Sequence, residues 1–436
     1  MQVSQFTTNN GPVNAELASL REDIKGKQFS DVIDDQGNQY VDLVMEGGGM
    51  LGIALVGYVY TLEQMGLRFL QLGGTSAGSI NAMLMAAAGP MNEPGSEWIL
   101  KIMANKDFQE FVDGDSDAKD FIQTATAKSG WKKVALKGLQ VIDNFREDFG
   151  LNPGTNFHEW LSGLLAEKGV DTLAKLRAQR LQGHDLLRHR LSGAPYKATT
   201  PGRIALVAAD ITTQTKVSFP EMAPLYWADP DSVNPANFVR ASMSIPFFFH
   251  PLRLTNLPYG EDKLAQWREV GYEGNVPDEV FFIDGGIMSN FPIDLFHDTH
   301  KVPAAPTFGV KLGIDRNKPR IIRKFPNLLG AIFDSARQVH DFDFIARNPD
   351  YKHLVHCLDT DGFNWIDFSM PDEEKIRLFE VGVRGAANFL RKFDWGKYKE
   401  LRQALVNLNA KSEEMEVTEK RVIPIKILKN EDSPTT

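Results

Sequence analysis

The sequence predicts an α/β fold in which helices cover a mainly parallel sheet. Residues 40–45 form a mostly apolar run typical of a buried strand, and apolar residues recur at helical spacing over residues 53–65. The same strand-then-helix order follows at residues 68–72 and 77–88, with glycine-rich turns at the junctions. Alternation of this kind predicts parallel strands joined by crossover helices, with the helices on the faces of the sheet.

Further along the chain, the patterns predict that the sheet continues after a helical insertion. The stretch 90–197 is rich in Lys, Asp and Gln and shows helical periodicity at three places, so we interpret it as a helical layer above the sheet. It is either a scaffold or a lid over the substrate entrance, and the lack of an evident hinge favours the scaffold. The predicted helices of the insertion span residues 132–145, 157–167 and 173–187. The predicted later elements are strands at 204–208, 279–283, 307–312 and 353–358 and a helix over 372–393.

These patterns divide the chain into three parts. The polar composition of residues 1–39 predicts a flexible or loosely docked arm. Residues 40–395 contain the predicted α/β domain. Residues 396–436 form a charged tail that we expect to fray.

Composition excludes several classes of protein. The net charge of −9 argues against a general nucleic-acid binder, which needs a basic surface. The single cysteine, Cys357, excludes an internal disulfide framework and favours a reducing compartment. No Sec-type signal and no apolar run of about 20 residues is visible, so we expect a cytoplasmic protein, with signal-independent export left open.

A serine in a glycine-flanked turn is the first candidate catalytic residue. Ser76 stands in Gly74-Thr75-Ser76-Ala77-Gly78, between a predicted strand and a predicted helix. Small flanking residues allow the sharp turn that exposes a nucleophilic serine, and the helix N-terminus favours the negative charge that develops during attack. The alternative is a tight turn with a capping serine.

A glycine run is the second candidate element. Gly47-Gly48-Gly49-Met50-Leu51-Gly52 fits the dinucleotide-binding pattern as well as an oxyanion loop. A dinucleotide fold needs an acidic residue near the end of the second strand, and residues 72–75 contain none. We therefore favour backbone N–H groups of Gly47, Gly48 and Gly49 as donors to an oxyanion.

An aspartate at the end of a strand completes the candidate site. Asp284 follows the apolar strand at 279–283 and precedes Gly285 and Gly286. None of the histidines after Asp284 lies in a catalytic-looking loop, so a serine–aspartate dyad fits better than a triad. An ordinary aspartate, with a pKa of about 3.9, is a weak base, and burial beside apolar residues such as Phe281 and Phe282 would strengthen it.

These motifs resemble the patatin-like phospholipase family. The likeness extends over residues 46–57 (EGGGMLGIALVG), 74–81 (GTSAGSIN) and 284–292 (DGGIMSNFP), and residues 241–247 resemble the segment that lines the family's acyl pocket. It covers roughly residues 41–312 and continues more weakly to about 393. The resemblance implies a three-layer α/β/α fold with a mainly parallel central sheet, a Ser76–Asp284 dyad, oxyanion donors at residues 47–49, and no metal or other cofactor.

The resemblance also implies a lipid substrate. We expect a phospholipase A or lysophospholipase that contacts a membrane or micelle and forms an acyl-enzyme, with a protein activator left open. The family usually has Lys or Arg where this chain has Leu51, which affects any role of a cation beside the glycine loop. Two alternatives stay open: a thioesterase or acyl carrier protein transacylase-like enzyme, which normally uses a histidine, and an inactive lipid-binding scaffold.

Overall fold

A computed structural model describes residues 1–114, 149–296, 298, 300–313, 319, 322, 335 and 344–422 of the 436-residue chain. The predicted helix at 132–145 and the last 14 residues of the predicted tail lie outside the described part. No described helix has both the length and the apolar composition needed to cross a membrane.

The centre of the fold is a mixed sheet whose middle strands are parallel. The strands follow the order β12-β11-β2-β3-β6-β10-β9, with β1, β5 and β7 at its sides, and β4 and β8 form a separate two-stranded sheet. The strands are β1 (Val32–Ile33), β2 (Gln39–Met45), β3 (Leu67–Thr75), β4 (Gly150–Asn152), β5 (Arg188–His189), β6 (Ile204–Asp210), β7 (Thr215–Phe219), β8 (Phe247–Phe249), β9 (Leu252–Thr255), β10 (Glu279–Asp284), β11 (Thr307–Leu312) and β12 (Val355–Leu358).

Helices surround this sheet, which confirms the predicted α/β class. Gly57 and Gly382 allow α2 and α9 to pack closely, because a Cβ on either glycine would overlap backbone of the other helix. The helices are α1 (Gly11–Asp23), α2 (Gly52–Gln64), α3 (Ala77–Ala88), α4 (Ser96–Asn105), α5 (Thr155–Glu167), α6 (Leu173–Leu181), α7 (Ala236–Ser242), α8 (Glu261–Glu269), α9 (Asp372–Lys392) and α10 (Trp395–Val422).

Residues 1–39 and 396–422 contain helices where we expected an arm and a tail. The expected flexible arm contains α1, which packs on α9 through Val13, Leu17 and Leu20, three buried residues on one helical face. The expected tail begins within α10, whose first turns bury Trp395 and Tyr398. Amphipathic spacing in a polar segment therefore buries apolar side chains once a partner helix is present.

The helical insertion is confirmed in its described part by α4, α5 and α6. The predicted helix at 173–187 stops at Leu181, because Gly183 adopts a left-handed backbone with a φ of 83°. Phe111 and Phe157 of this region are buried in the main core. The described part of the insertion is thus continuous with the core.

Strand register sets the geometry of the candidate site. Thr75, at the end of β3, pairs with Val207 of β6, and Asp284, at the end of β10, pairs with Ala208. We expected Asp284 at the carboxyl end of a buried strand, and it is the last residue of β10, which runs antiparallel to β6. β10 begins beyond the carboxyl end of β6 and runs back along it. Its last residue, Asp284, therefore lies near the level of Ser76.

A buried aspartate in β2 leads to a prediction about stability. Burial raises the pKa of Asp42 to about 7, so the folded state binds this proton more tightly than the unfolded chain does. The resulting stabilisation is complete below about pH 4 and is lost as the pH rises through about 7. We expect Asp42→Asn to raise the free energy of unfolding by a few kcal/mol at about pH 8 and by less at about pH 5. Urea unfolding at both pH values tests this, and a pH-independent difference would contradict it.

Candidate active site

Ser76 lies in a strained turn between β3 and α3. Its backbone has a φ of 51° and a ψ of −119°, which L-residues adopt rarely and at a cost of about 1–3 kcal/mol. Gly74 and Gly78 make the turn possible, because a Cβ on Gly74 would overlap the backbone of Gly78 and one on Gly78 would overlap the Met45 carbonyl. The glycines around Ser76 therefore form the sharp strand-to-helix turn that the sequence predicts.

Hydrogen bonds on both sides hold the Ser76 backbone in this conformation. Its N–H donates to Ser242 Oγ at 3.0 Å, and Ser242 Oγ donates in turn to the Val207 carbonyl at 2.6 Å. The Ser76 carbonyl accepts from Ser79 Oγ at 2.6 Å and from the Ser79 N–H at 2.9 Å. Ser242 is fully buried, so its hydroxyl is a fixed link between α7, β6 and the turn.

We predict that Ser242→Ala lowers turnover without removing the nucleophile. The change leaves the Ser76 N–H and the Val207 carbonyl without this partner, which costs about 1–3 kcal/mol where the groups stay buried. We expect kcat for ester hydrolysis to fall about tenfold while KM changes little, because the hydroxyl orients the turn and does not contact substrate. Ser242→Thr, which keeps the hydroxyl, should restore activity; equal loss in both variants would contradict a positioning role.

The glycine loop differs from our expectation at one position. Gly47 donates its N–H to the Asn290 carbonyl at 3.2 Å, and Asn290 Nδ2 donates back to the Gly47 carbonyl at 3.2 Å. We expected the Gly47 N–H to donate to an oxyanion, but in this structure it donates to the Asn290 carbonyl. Gly48 and Gly49 are the expected donors whose N–H groups have no acceptor among the described residues.

Contacts at Gly48 and Gly49 explain why this loop carries no side chains. A Cβ on Gly48 would lie 2.7 Å from Leu312 Cδ1. Gly49 has a φ of 54°, and a Cβ there would overlap the Trp365 carbonyl. The same carbonyl accepts the Met50 N–H at 2.8 Å and so holds the end of the loop. Gly52 then begins α2, as the motif predicts.

Asp284 is buried at the end of β10. Its side chain is 8% exposed, and its Oδ1 accepts the Gly286 N–H at 2.8 Å. Its own N–H donates to the Ser244 carbonyl at 2.8 Å. Gly285 lies so close to β6 that a Cβ would overlap the Val207 carbonyl. The two glycines after Asp284 thus allow its carboxylate to be held against β6 by a backbone donor.

Two cavities meet at Ser76. One, of about 320 Å³, is lined by Ser76, Asp284 and the three glycines of residues 47–49. The other, of about 740 Å³, extends from Ser76 between α2, α3, α4 and α5 and is almost entirely apolar. No described histidine lines either cavity. The three sequence motifs therefore share one cavity, and an apolar pocket opens from it.

A buried cation lies beside the glycine loop although position 51 is leucine. Lys311 Nζ is 3.6 Å from Glu46 Oε1, and both side chains are buried. The Leu312 N–H donates to Glu46 Oε2 at 2.6 Å, so β11 holds the residue that precedes the glycines. Leu51 itself is half-buried and packs against the core.

Sequence reasoning missed the residues that support this site. Ser242 lies in the segment matched to the family's acyl pocket, but nothing in the sequence distinguishes its hydroxyl from that of Ser244. Asn290 lies within the matched segment 284–292, where a polar residue directly before Phe291 and Pro292 is a usable signal. Lys311 and Trp365 come from distant parts of the chain, and no short sequence motif marks them as neighbours of the site.

Comparison with known proteins identifies the family. The model of the patatin-like phospholipase family matches residues 43–297. The uncharacterized protein YqhO of Bacillus subtilis strain 168 is 28% identical over 358 residues, which cover 82% of this chain and all of that protein.

Solved structures show only weak likeness. VipD from Legionella pneumophila gives a TM-score of 0.39 and 13% identity over 83% of this chain and 70% of its own. Human GIVD cytosolic phospholipase A2 gives a TM-score of 0.39 and 9% identity over 91% of this chain and 67% of its own. The assignment therefore rests on the family match, which spans more than half of the sequence. The chain belongs to the patatin-like phospholipase family.

Proposed function

We propose that the protein is a lipid acyl hydrolase of the phospholipase A or lysophospholipase type. Membership of a family of lipid hydrolases supports the general activity. The observation that supports the phospholipase A or lysophospholipase type is the position of Ser76. This residue lines both the cavity that contains Asp284 and the apolar pocket. An ester bound with its acyl chain in the pocket has its carbonyl carbon at the serine.

In the proposed first half-reaction, Asp284 takes the hydroxyl proton as Ser76 Oγ attacks the ester carbonyl carbon. The carbonyl π electrons move to oxygen, and the N–H groups of Gly48 and Gly49 donate to this oxyanion. When the oxyanion collapses, the ester C–O bond breaks and the leaving alkoxide takes the proton from Asp284. The product is an acyl-enzyme ester on Ser76.

In the second half-reaction, water replaces the alcohol. Asp284 takes a proton from water as its oxygen attacks the acyl carbon, and the same loop stabilises the second oxyanion. Collapse returns the electron pair and the proton to Ser76 Oγ and releases the fatty acid. No metal and no other cofactor enters this scheme.

The apolar pocket supports a long acyl chain as substrate. Its walls include Ile102 and Met103 of α4 and Phe157 and Trp160 of α5. Transfer of each methylene from water into such a site contributes about 0.8 kcal/mol. Binding energy therefore grows with chain length until the pocket is filled.

We predict that narrowing this pocket shifts chain-length preference. Ile102→Trp adds bulk at a half-buried lining position, so long-chain esters should lose at least about tenfold in kcat/KM while short-chain esters lose little. Lys101→Trp is the matched control, because Lys101 is the preceding residue of α4 and is exposed. Rates with a series of p-nitrophenyl esters measure the effect. Equal losses across all chain lengths would show that the pocket does not hold the acyl chain.

The alternatives differ from this proposal in substrate and in base. A thioesterase or transacylase-like enzyme would act on thioesters and use a histidine, whereas a scaffold would bind lipid without turnover. The absence of histidine from the described linings of both cavities favours the dyad. The Lys311–Glu46 pair beside the loop means that Leu51 alone does not argue for an inactive scaffold.

Fatty-acid release from mixed micelles tests the proposal. The substrates are a diacyl phospholipid with different chains at its two positions, a lysophospholipid, a triacylglycerol and an acyl-coenzyme A. We expect release from the phospholipid or the lysophospholipid by the wild-type protein and none by Ser76→Ala. Release from the thioester alone would support the thioesterase alternative, and equal release by both proteins would overturn the proposal.

A further inference from the structure

A second large cavity lies at the amino-terminal edge of the sheet, on the side away from Ser76. Together with the open space at its mouth, it encloses about 990 Å³. Asp42 in β2, Thr307 at the start of β11 and Arg203 just before β6 contribute to its lining. At about 3.3 Å per residue, Asp42 is about 10 Å along β2 from Met45, beyond which the glycine loop begins. The cavity is therefore separate from the candidate active site.

Asp42 contributes a buried carboxylate to the wall of this cavity. It is only 7% exposed, and one carboxylate oxygen accepts from Thr307 Oγ1 at 3.4 Å. The other oxygen, Oδ1, is buried and makes no hydrogen bond of normal length to a described residue, although the Gln71 N–H lies near enough to favour the ionised carboxylate. An unsatisfied buried carboxylate oxygen costs free energy, which a donor supplied by a ligand or by water would recover.

The basic side chains of the lining do not supply that donor. Each of the three already pairs with an acid of the same chain, so their charges are compensated within the protein. The pairs are Arg203–Glu221 at 2.7 Å, Lys301–Asp298 at 2.8 Å and Arg402–Asp350 at 3.5 Å. Arg203 also acts on the Asp42 carboxylate through its charge, but its guanidinium is held by Glu221 and by the Leu295 carbonyl. A cation bound in the cavity would pair with Asp42 directly.

Aromatic side chains add a second feature that suits a cation. Tyr196, Tyr351 and Tyr398 line the cavity, and the charge of Asp42 acts on both Tyr196 and Tyr351. Aromatic faces attract ammonium groups by about 0.5–2 kcal/mol. Thr199, Thr200 and Gln71 provide further polar groups at the wall. We propose that this cavity binds a small hydroxylated amine whose ammonium group pairs with Asp42 among these tyrosines.

Calorimetric titration with propanolamine tests the proposal, with propanediol as the neutral isostere. At about pH 8 the amine is protonated, and we expect saturable binding with a Kd in the high-micromolar to millimolar range. Propanediol should bind at least about tenfold more weakly, because it lacks the charge that pairs with Asp42. Asp42→Asn, close in size and without charge, should weaken propanolamine binding by at least about tenfold.

A second variant tests the cavity without removing the buried charge, because Asp42→Asn is also expected to change the stability of the fold. Thr199 is exposed at the wall of the cavity, so Thr199→Trp should block entry and abolish propanolamine binding. Lys197→Trp is its control, because Lys197 is exposed nearby and does not line the cavity. Absence of saturable binding would show a cavity filled by water only and overturn the proposal. Equal binding of amine and diol would overturn it by showing that the Asp42 charge does not matter, and wild-type affinity in Thr199→Trp would overturn it by placing the amine outside this cavity.

Discussion

Ser76→Ala is expected to abolish fatty-acid release. The change removes the oxygen that attacks the ester, so kcat should fall by at least about 1,000-fold, as losses of a catalytic nucleophile do in serine hydrolases. Alanine fits the turn sterically no worse than serine, and the Ser76 N–H and carbonyl keep their partners on Ser242 and Ser79. Fatty-acid titration in phospholipid micelles measures the loss, and near-identical unfolding curves should show that the fold is kept.

Ser79→Ala is the matched control for this loss. Ser79 lies in α3, one turn from Ser76, and is fully buried, but it lines neither of the cavities that meet at Ser76. Its hydroxyl donates one hydrogen bond to the Ser76 carbonyl, so we expect a decrease of no more than about tenfold. A loss as large as that of Ser76→Ala would attribute the effect to distortion of the turn and not to the nucleophile.

Asp284→Asn should produce the second-largest loss. Asparagine has nearly the same shape, but it cannot take the proton from Ser76 or from water, so kcat should fall about 100- to 10,000-fold. The amide oxygen can still accept the Gly286 N–H, which keeps the loop in place. Reactions stopped at successive times should show that the rates of acylation and of deacylation both fall, because the same carboxylate acts in both half-reactions.

Glu279→Gln controls for the removal of a carboxylate from the same strand. Glu279 is at the other end of β10 and pairs on the surface with Arg253, so we expect activity within about twofold of wild type. Full activity in Asp284→Asn together with loss in a histidine variant would contradict the dyad and favour the transacylase-like alternative.

Local patterns were sufficient to predict the central elements of the fold. The boundaries of β2, α2 and α3 lie within one residue of those predicted from short apolar runs and glycine turns, because both signals act within a few residues. By contrast, β3 extends beyond its predicted end at residue 72 to Thr75. The docking of α1 was missed, since its apolar face is stabilised only by contact with α9, which is distant in sequence. The sequence left the direction of β10 open, because an apolar strand has the same pattern whether it runs parallel or antiparallel.

For the candidate site, the motif residues were more predictable than their supporting contacts. Ser76, Asp284, Gly48 and Gly49 are marked by glycine spacing and line one cavity, whereas their catalytic roles stay predictions. The sequence pattern does not reveal that the Gly47 N–H pairs with Asn290, because glycine runs look alike whichever way their amides point. The Lys311–Glu46 pair joins positions 265 residues apart, so only the folded chain brings this cation to the loop.

Covalent labelling at Ser76 tests the central claim most directly. The wild-type protein and Ser76→Ala are treated with a fluorophosphonate, assayed for residual hydrolysis, and digested for peptide mass spectrometry. We predict one phosphonyl group on Ser76 of the wild-type protein, loss of hydrolysis in proportion to labelling, and no label on Ser76→Ala. Hydrolysis that persists in fully labelled protein, or a label on another residue with Ser76 unmodified, would contradict it.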